Sequence, residues 1–531
     1  MHVECFPITI LPHLSRLFTD YAQSHTPLPF YRQSPYSREW MVQAPQMAPE
    51  ARSAIADLLR RQNLAFGAGE KTLANIERLR NGAGAVVTGQ QVTLLGGPLY
   101  TLLKAVTAVR KAQDATDAGF SHVPIFWLAT EDHDLAEADH IAFPLRRELR
   151  TYRLELENGG NPVGGLKLGP GIQSLLDQVA EILGGSEFFQ ILERCYKPDA
   201  TFAQAFGSLL AQIFSAQGLI VIDASDQQFH ALGAPVFQQA ITDAEPIRNA
   251  LLARDKELVE AGYHTQVLVA PHSSLLFLLD EETKKRQPLR RKNGEWSAGK
   301  KTYTSADLLE ILKAEPERLS PNALLRPVFQ DFILPTSLYI AGPAEIAYFA
   351  QSQVIYERVL GRTTAVLPRL SVTFVEPQIA EIMAKYEITL SDLFVLRPED
   401  LAQRIGARSM PLEGKKKLAA AGNALDAELK SLTDWMHSLD PGLGRSAAVA
   451  ASKMRYQMNR LRRMAANFQL QKESGLRREV EAVYLALFPE RHLQERAIGA
   501  GYFLSRYGNS LMETLLQQAA QECPGHKVIY L

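Results

Sequence analysis

Five short apolar runs punctuate the chain, each ending in a cluster of polar residues or glycine. They are Ala85-Val86-Val87, Ile125-Phe126-Trp127-Leu128, Leu219-Ile220-Val221-Ile222, Leu338-Tyr339-Ile340 and Ala365-Val366-Leu367. The clusters that follow are Thr88-Gly89-Gln90-Gln91, Glu131-Asp132-His133-Asp134, Asp223-Ala224-Ser225-Asp226, Gly342-Pro343-Ala344-Glu345 and Pro368-Arg369. Continuous apolar runs rich in β-branched residues predict strands covered on both faces, as in a parallel sheet. Ligand crevices of such sheets lie beyond the carboxyl ends of the strands. All five clusters are therefore expected on one edge of one sheet.

The connections refine this picture. Leu99, Leu102, Leu103, Val106 and Val109 keep a helical period behind Pro98, whose missing N–H costs little in a first turn. The spacing predicts a helix over 98–112 inside a βαβ unit, whose right-handed crossover puts both strand ends on one side. Residues 1 to about 80 are expected to be mostly helical, from the apolar periods in Ala51–Leu64 and Leu73–Leu79. The third and fourth runs arrive far later than a crossover helix requires. Turn residues and alternation in Tyr152–Leu156, Gln266–Val269 and Leu275–Leu279 mark two insertions, at about 145–205 and 261–320. A last βαβ unit uses a helix over 344–360. The expected fold class is thus α/β, a doubly wound parallel sheet spanning 1–376 with two inserted subdomains.

After Pro377 the pattern changes to long helical periods over 415–436 and 446–471, joined through Asp440-Pro441-Gly442. Leu418, Leu425 and Leu432 recur every seven residues in the first, with Leu429 and Met436 on the neighbouring row; Met454, Leu461 and Phe468 do so in the second. Such heptads predict an antiparallel helical hairpin or coiled coil over 377–475. The stripe buries either within the hairpin or against a second subunit. Residues 476–531 regain mixed composition and are expected to dock on the core.

Charge and composition narrow the function classes. Lys plus Arg total 57 against 58 Asp plus Glu, so no whole-protein field favours nucleic acid or an anionic membrane. The basic runs Lys284-Lys285-Arg286 and Arg290-Arg291-Lys292 read as solvated loop faces. Three widely spaced cysteines, Cys5, Cys195 and Cys523, exclude a disulfide framework and a thiolate metal cage and suit a reducing cytoplasm. The N-terminal residues lack signal-peptide character, and no apolar run approaches the ~20 residues of a membrane span.

The polar clusters carry the candidate chemistry. The loop over 88–98 joins a strand to a helix N-terminus, where free N–H groups and the helix dipole favour an anion. Thr88, Gly89, Gln90, Gln91, Gly97 and Pro98 are the candidate contacts; the plain alternative is a tight turn at Gly96-Gly97-Pro98. Glu131, Asp132, His133 and Asp134 are the candidate catalytic residues. Crowded carboxylates call for a cation, an amine or a raised pKa, and an imidazole accepts protons near neutral pH. If the segment continues as a helix, it is either a solvated acidic first turn or a face on which His133, Glu137 and His140 bind a divalent metal. Asp223, Arg326, Gln330, Asp331, Gly342, Pro343, Glu345 and Arg369 complete the expected rim. Arg326 offers bidentate geometry to a carboxylate or phosphate, and Glu345 either caps its helix or binds an amine. Two familiar signals fail. Gly294–Lys301 nearly spells a P-loop but has Lys where Ser or Thr would hold magnesium, so a hairpin turn is expected; Gly82-Ala83-Gly84 precedes its strand instead of following it.

As a set, these motifs resemble the bacillithiol-biosynthesis cysteine-adding enzymes, the BshC family. The residues concerned are Thr88-Gly89-Gln90-Gln91, Gly97-Pro98, the Glu131–Asp134 cluster, Leu325-Arg326-Pro327, Gln330-Asp331, Leu334-Pro335-Thr336 and Gly342-Pro343-Ala344-Glu345-Ile346. Gly262-Tyr263-His264-Thr265-Gln266, Leu487-Phe488-Pro489 and Gln494-Glu495-Arg496 belong to the same set. The resemblance implies a Rossmann-like core interrupted by connective inserts, a coiled-coil arm that forms a homodimer, and a cytoplasmic ligase joining cysteine to glucosamine-malate in the last step of bacillithiol formation. Amide formation from a carboxylate is uphill in water, so ATP with Mg2+ is the expected activator. Gln90, Gln91, Gly97 and Pro98 would bind phosphates or a carboxylate. Asp132, His133 and Asp134 would hold and deprotonate the attacking amine, and Arg326 would steady a malate carboxylate or developing negative charge. Other readings of the same crevice are a non-catalytic nucleotide-binding scaffold, or a metal-dependent hydrolase or transferase using His133, Glu137 and His140.

Overall fold

The computed structural model describes every residue except 1, 43, 158, 473–474, 522 and 524, with the backbone only at 469–472. The five apolar runs form strands β1 (Gly84–Gln90), β2 (His122–Leu128), β3 (Ile220–Asp223), β4 (Thr336–Ala341) and β5 (Ala365–Pro368) of one sheet. All neighbours are parallel, in the order β5-β4-β1-β2-β3. Alternate side chains of β2 enter opposite cores: Ile125 and Trp127 join one, Phe126 and Leu128 the other. Both faces are therefore covered, which is why the runs read as unbroken apolar stretches.

The chain moves outward from β1 to β2 and β3, then returns to the other flank for β4 and β5. The connections leave β1 and β4 in opposite directions, opening a crevice at their carboxyl ends. Four helices frame it: α1 (Leu99–Asp117), α2 (Gln227–Thr242), α3 (Arg326–Ile333) and α4 (Pro343–Leu360).

Between β2 and β3 lie an antiparallel hairpin, His140–Pro144 with Leu149–Arg153, and helices Gly171–Leu183, Glu187–Cys195 and Phe202–Ile213. Between β3 and β4, an antiparallel five-stranded sheet contains Ser273–Leu279, Arg286–Lys292, Glu295–Ala298, Lys301–Tyr303 and Leu319–Pro321. Ala298 faces Lys301 across the turn that mimics a P-loop, so that motif is a hairpin. Gln266–Val269 is not a strand. The N–H groups of Gln266 and Val267 donate to Gln351 Oε1 on α4 instead of to a neighbouring strand.

The termini depart from expectation. His2–Pro7 is a strand, preceding the helices Arg16–Gln23, Pro49–Ala65 and Glu70–Arg80. It pairs antiparallel with Gly525–Tyr530, which also pairs parallel with Val372–Val375. Cys5 and Cys523 are joined by a disulfide, correcting the reading of three isolated cysteines. A separation of 518 residues hides this pairing from any local reading.

In the arm, α5 (Leu412–Leu439) and α6 (Pro441–Lys472) form a hairpin, clamped partway along by Arg455 Nε and Asp426 Oδ1 at 2.7 Å. Its seam buries Gly422, Leu429, Ala451, Met458 and Ala466. The Arg462 guanidinium lies directly over Gly422, where a β-carbon would have to displace it. Small residues let the helices approach closely and rotate the seven-residue row outward. Leu418, Leu425 and Met436 stay half-buried beside Leu429 in α5, whereas Leu432, Met454, Leu461 and Phe468 are 50–61% exposed, so the seven-residue row of α6 is not the hairpin seam. The last helix, α7 (Ala500–Ala520), packs on α1.

One buried ion pair closes the gap between β1 and β4. Lys104 of α1 lies 2.5 Å from Glu345 in the first turn of α4, with side chains 5% and 16% exposed. The Lys104 ammonium also donates to Gly89 O at 2.8 Å and Gln90 Oε1 at 2.9 Å, so every N–H it carries has an acceptor. Burial pulls the lysine below its ordinary pKa, opposed by Glu345. Burial would raise Glu345, but Lys104, the Gly342 N–H and the Tyr339 hydroxyl hold it below the usual carboxylate value.

Two stability predictions follow from buried charge. Lys104→Met strands the Glu345 carboxylate and should cost about 3–5 kcal/mol in urea unfolding, whereas Lys104→Met with Glu345→Gln should recover at least about half of that. In the terminal sheet, His526 is fully buried between Ser371 Oγ and Thr373 Oγ1, each at 2.8 Å. Burial pushes its imidazole down to about 4. The unfolded chain takes up the proton first, so this contribution is present above pH ~6.5 and lost as pH falls toward 4, worth about 3 kcal/mol. Unfolding profiles of His526→Gln should be flatter than wild type over that window.

Candidate functional site

A cleft of about 850 Å³ opens beyond the strand ends at the β1–β4 gap. Gly89 and Gln90 end β1 and Gln91 follows it; Glu131, Asp132 and His133 follow β2; Gly342, Pro343 and Glu345 follow β4. The separate motifs thus line one mouth. The Glu345 Oε2 atom accepts from the Gly342 N–H at 2.6 Å, so this carboxylate caps its own helix as well as holding Lys104.

Asp132 is the hub of the cleft. Its carboxylate accepts from Gln91 Nε2 at 2.6 Å and from the His133 N–H at 2.7 Å. Arg286 Nη1 lies 3.6 Å and His133 Nδ1 3.4 Å from Oδ1. Arg286 arrives from the inserted sheet, where it donates to Ser320 Oγ at 2.9 Å and Pro321 O at 2.8 Å and sits 3.9 Å from the Phe277 ring centre. Its 9% exposure corrects the reading of Lys284-Lys285-Arg286 as a solvated face. The His133 ring stands 6.0 Å from Phe277 and is 40% exposed, open to a substrate.

The loop carrying these groups is not helical. Leu135–Glu137 makes a single short turn and His140 already begins a strand, with Asp139 held by Arg153 across the hairpin at 2.6 Å. His133, Glu137 and His140 therefore do not share a helical face. Among the described residues no group of three or more His, Cys, Asp or Glu is arranged to hold a metal ion. Val163 N–H and Gly164 N–H pin the loop through Asp132 O and Thr130 O, and a β-carbon on Gly164 would collide with Thr130. Glu131 turns inward to His230, 2.9 Å away and fully buried. Burial alone would lower His230, but Glu131 outweighs it and raises the imidazole pKa.

Several predicted contacts lie off the cleft. Thr88 is buried and donates to Ile340 O. Asp223 accepts from Thr130 and Ser225 at the end of β3. Gln330 and Asp331 are buried, binding each other, Arg326 and Tyr356. Asp134 is exposed but does not line the cleft. At the expected anion site Pro98 lines the cleft, but two first-turn donors are engaged: Leu99 N–H donates to Ile498 O and Thr101 N–H donates to Pro98 O, while Gly97 O accepts from Ala500 N–H. Arg369 reaches the cleft but is 7% exposed and engages Glu495 through both Nη atoms at 3.0 and 2.6 Å. Arg326 donates to Gln330, Tyr339 and Tyr348.

Residues absent from the sequence-derived set are Lys104, Tyr100, Phe277, Arg286 and Arg496, all lining the cleft. A lysine inside Leu102-Leu103-Lys104-Ala105-Val106 was a visible signal of a buried charge, and Arg496 stands in the Gln494-Glu495-Arg496 motif; Phe277 and Arg286 of the insert carry no such signal.

Comparison with known proteins agrees with this layout. Family models described as the BshC N-terminal Rossmann-like domain and the BshC C-terminal coiled-coil domain of bacillithiol biosynthesis match residues 1–370 and 372–531. Relatives named "Putative cysteine ligase BshC" include one from Koribacter versatilis, 42% identical over 99% of each chain. Another, from Solibacter usitatus, is 34% identical over 100% of each, and one from Salinibacter ruber is 31% identical over 97% of this chain and 96% of its own. The chain belongs to the BshC family of bacillithiol biosynthesis.

Proposed function

We propose that the strand-end cleft carries out the cysteine-ligase reaction for which the relatives are named, forming a carbon–nitrogen bond, and that its acceptor is the amine of glucosamine-malate. The observation that carries the reading is the Asp132–His133 pair at the mouth, held by Gln91 and Arg286 and open to solvent on the histidine side.

An amine is unreactive while protonated, so a base must take its proton before it attacks the activated cysteine carboxyl carbon, whose C–O bond to the activating group breaks as the C–N bond forms. His133 serves at Nε2, with Asp132 orienting the ring from the Nδ1 side and steadying the imidazolium that forms. Gln90 and Gln91 contribute amide contacts, and Arg326 and Arg286 give the cleft a positive potential that favours carboxylates. ATP with Mg2+ is the reagent we propose activates the carboxylate. The first-turn phosphate site does not fit it, because the Leu99 and Thr101 N–H groups are taken by Ile498 O and Pro98 O.

The arm supports a second part of the reading, a homodimer. Met454 and Leu461 are 51% and 54% exposed along α6, and burying the remaining half of each against a partner is worth about 1 kcal/mol. No helix among the described residues is long and apolar enough to cross a membrane; a cytoplasmic location and a lack of nucleic-acid partners belong to this proposal.

Purified protein mixed with cysteine, glucosamine-malate and ATP should yield the amide together with AMP or ADP, detected by mass spectrometry; absence of the amide sinks the reading. His133→Ala should lower turnover about 10²–10⁴-fold while circular dichroism and the unfolding midpoint stay at wild-type values. Met454→Glu with Leu461→Glu should halve the mass measured by light scattering, and an unchanged mass would assign pairing to another surface.

A further inference from the structure

A second cavity of about 960 Å³ lies beside the strand-end cleft, between the β4–β5 edge and the C-terminal segment. The two share Pro343, Ala344, Arg369 and Arg496 as a common wall. That wall carries the charge pattern of interest. Arg369 and Glu495 are 4% and 3% exposed and cancel each other in a bidentate pair. Arg496, next in sequence to the neutralising glutamate, is exposed and has no carboxylate within ion-pair distance among the described residues. Its guanidinium rests 5.7 Å from the Tyr100 ring centre, and that of Arg369 rests 5.6 Å from the same ring.

The backbone beneath Arg496 is fixed. Gln494 accepts from Phe374 N–H at 2.7 Å and donates to Phe374 O and Ala486 O, each at 2.8 Å. Glu495 accepts from Val372 N–H at 3.0 Å. A pinned main chain and an aromatic shelf leave a planar fork with little orientation still to lose, the arrangement suited to bidentate capture of a carboxylate. Glu137 is the acid that feels this charge. Burial and the neighbouring Asp134 and Asp132 raise its carboxyl pKa, and Arg496 opposes them.

We propose that Arg496 recognises a carboxylate of the acceptor's malyl group at the junction of the two cavities, a role that the sequence offers to Arg326. This rests on the ligase reading above. The chemistry selects the malyl group over cysteine: the cysteine carboxylate must be consumed in amide formation, whereas the malyl carboxylates pass unchanged from substrate to product. A standing clamp therefore belongs to the latter. Losing a charge-assisted hydrogen-bonded contact of this kind lowers affinity about 10–100-fold.

The test uses the full-length protein and two readouts. In steady-state assays, Arg496→Ala should raise KM for glucosamine-malate about 10–100-fold, with kcat and the KM for cysteine within about twofold of wild type, and Arg496→Lys should recover part of the loss. An unchanged KM for glucosamine-malate, or a rise confined to cysteine, overturns the assignment. Calorimetric titration with malate alone separates this inference from the reaction itself. Malate should bind wild type about tenfold or more tightly than Arg496→Ala; equal affinities overturn the Arg496 site. A wild-type protein that makes no amide yet loses malate binding on Arg496→Ala would sink the ligase reading and leave the carboxylate site standing.

Discussion

The buried Lys104–Glu345 pair is the constraint on which the site depends. A doubly wound sheet parts its helices where the chain reverses direction, and nothing in the sheet hydrogen bonding fixes how far the crevice opens. Here one ammonium joins the β1 carbonyl edge, the Gln90 side chain and the first turn of α4. Desolvating two ions costs several kcal/mol each, and a pair of this kind is tolerated only with good geometry and satisfied partners. Glu345 meets that condition through Lys104, the Gly342 N–H and the Tyr339 hydroxyl. Tyr339 in turn receives Arg326, so the arginine reaches the cleft along the same chain of contacts. The gap is set before any ligand enters it.

Around that fixed gap, each remaining wall comes from a segment distant in sequence. The inserted sheet supplies Arg286 and Phe277 against Asp132 and His133. The first insertion clamps the β2 loop through Val163 and Gly164. The C-terminal segment closes the α1 first turn and neutralises Arg369. The inserts are thus parts of the mouth as well as additions to the periphery.

The five strands were legible because burial on both faces leaves unbroken apolar runs, and their common edge followed from parallel topology. Gln90, Gln91, Asp132, His133, Gly342 and Glu345 were legible for the same reason: each sits directly behind a strand. Arg286 was illegible, since Lys284-Lys285-Arg286 has the look of a solvated turn until the inserted sheet folds it over Phe277. Arg369 invited a binding role that the distant Glu495 removes. The helix expected after Asp134 gave way to a hairpin held by Asp139 and Arg153. The heptads of the arm were read correctly as helix, and in α5 as seam around Leu429, but not as seam in α6, because Ala451 and the facing Gly422 are nearly invisible to an apolar count.

The closure of α1 by Ile498 and Ala500 has a consequence for biosynthesis of the polypeptide itself. All five strands emerge from the ribosome well before the residues that cap this helix and quench Arg369. Until those residues arrive, the mouth has a bare amide at Leu99 and an uncompensated Arg369 guanidinium. A product lacking the last stretch therefore loses a wall of the reaction chamber together with the apolar cover that α7 lays on α1.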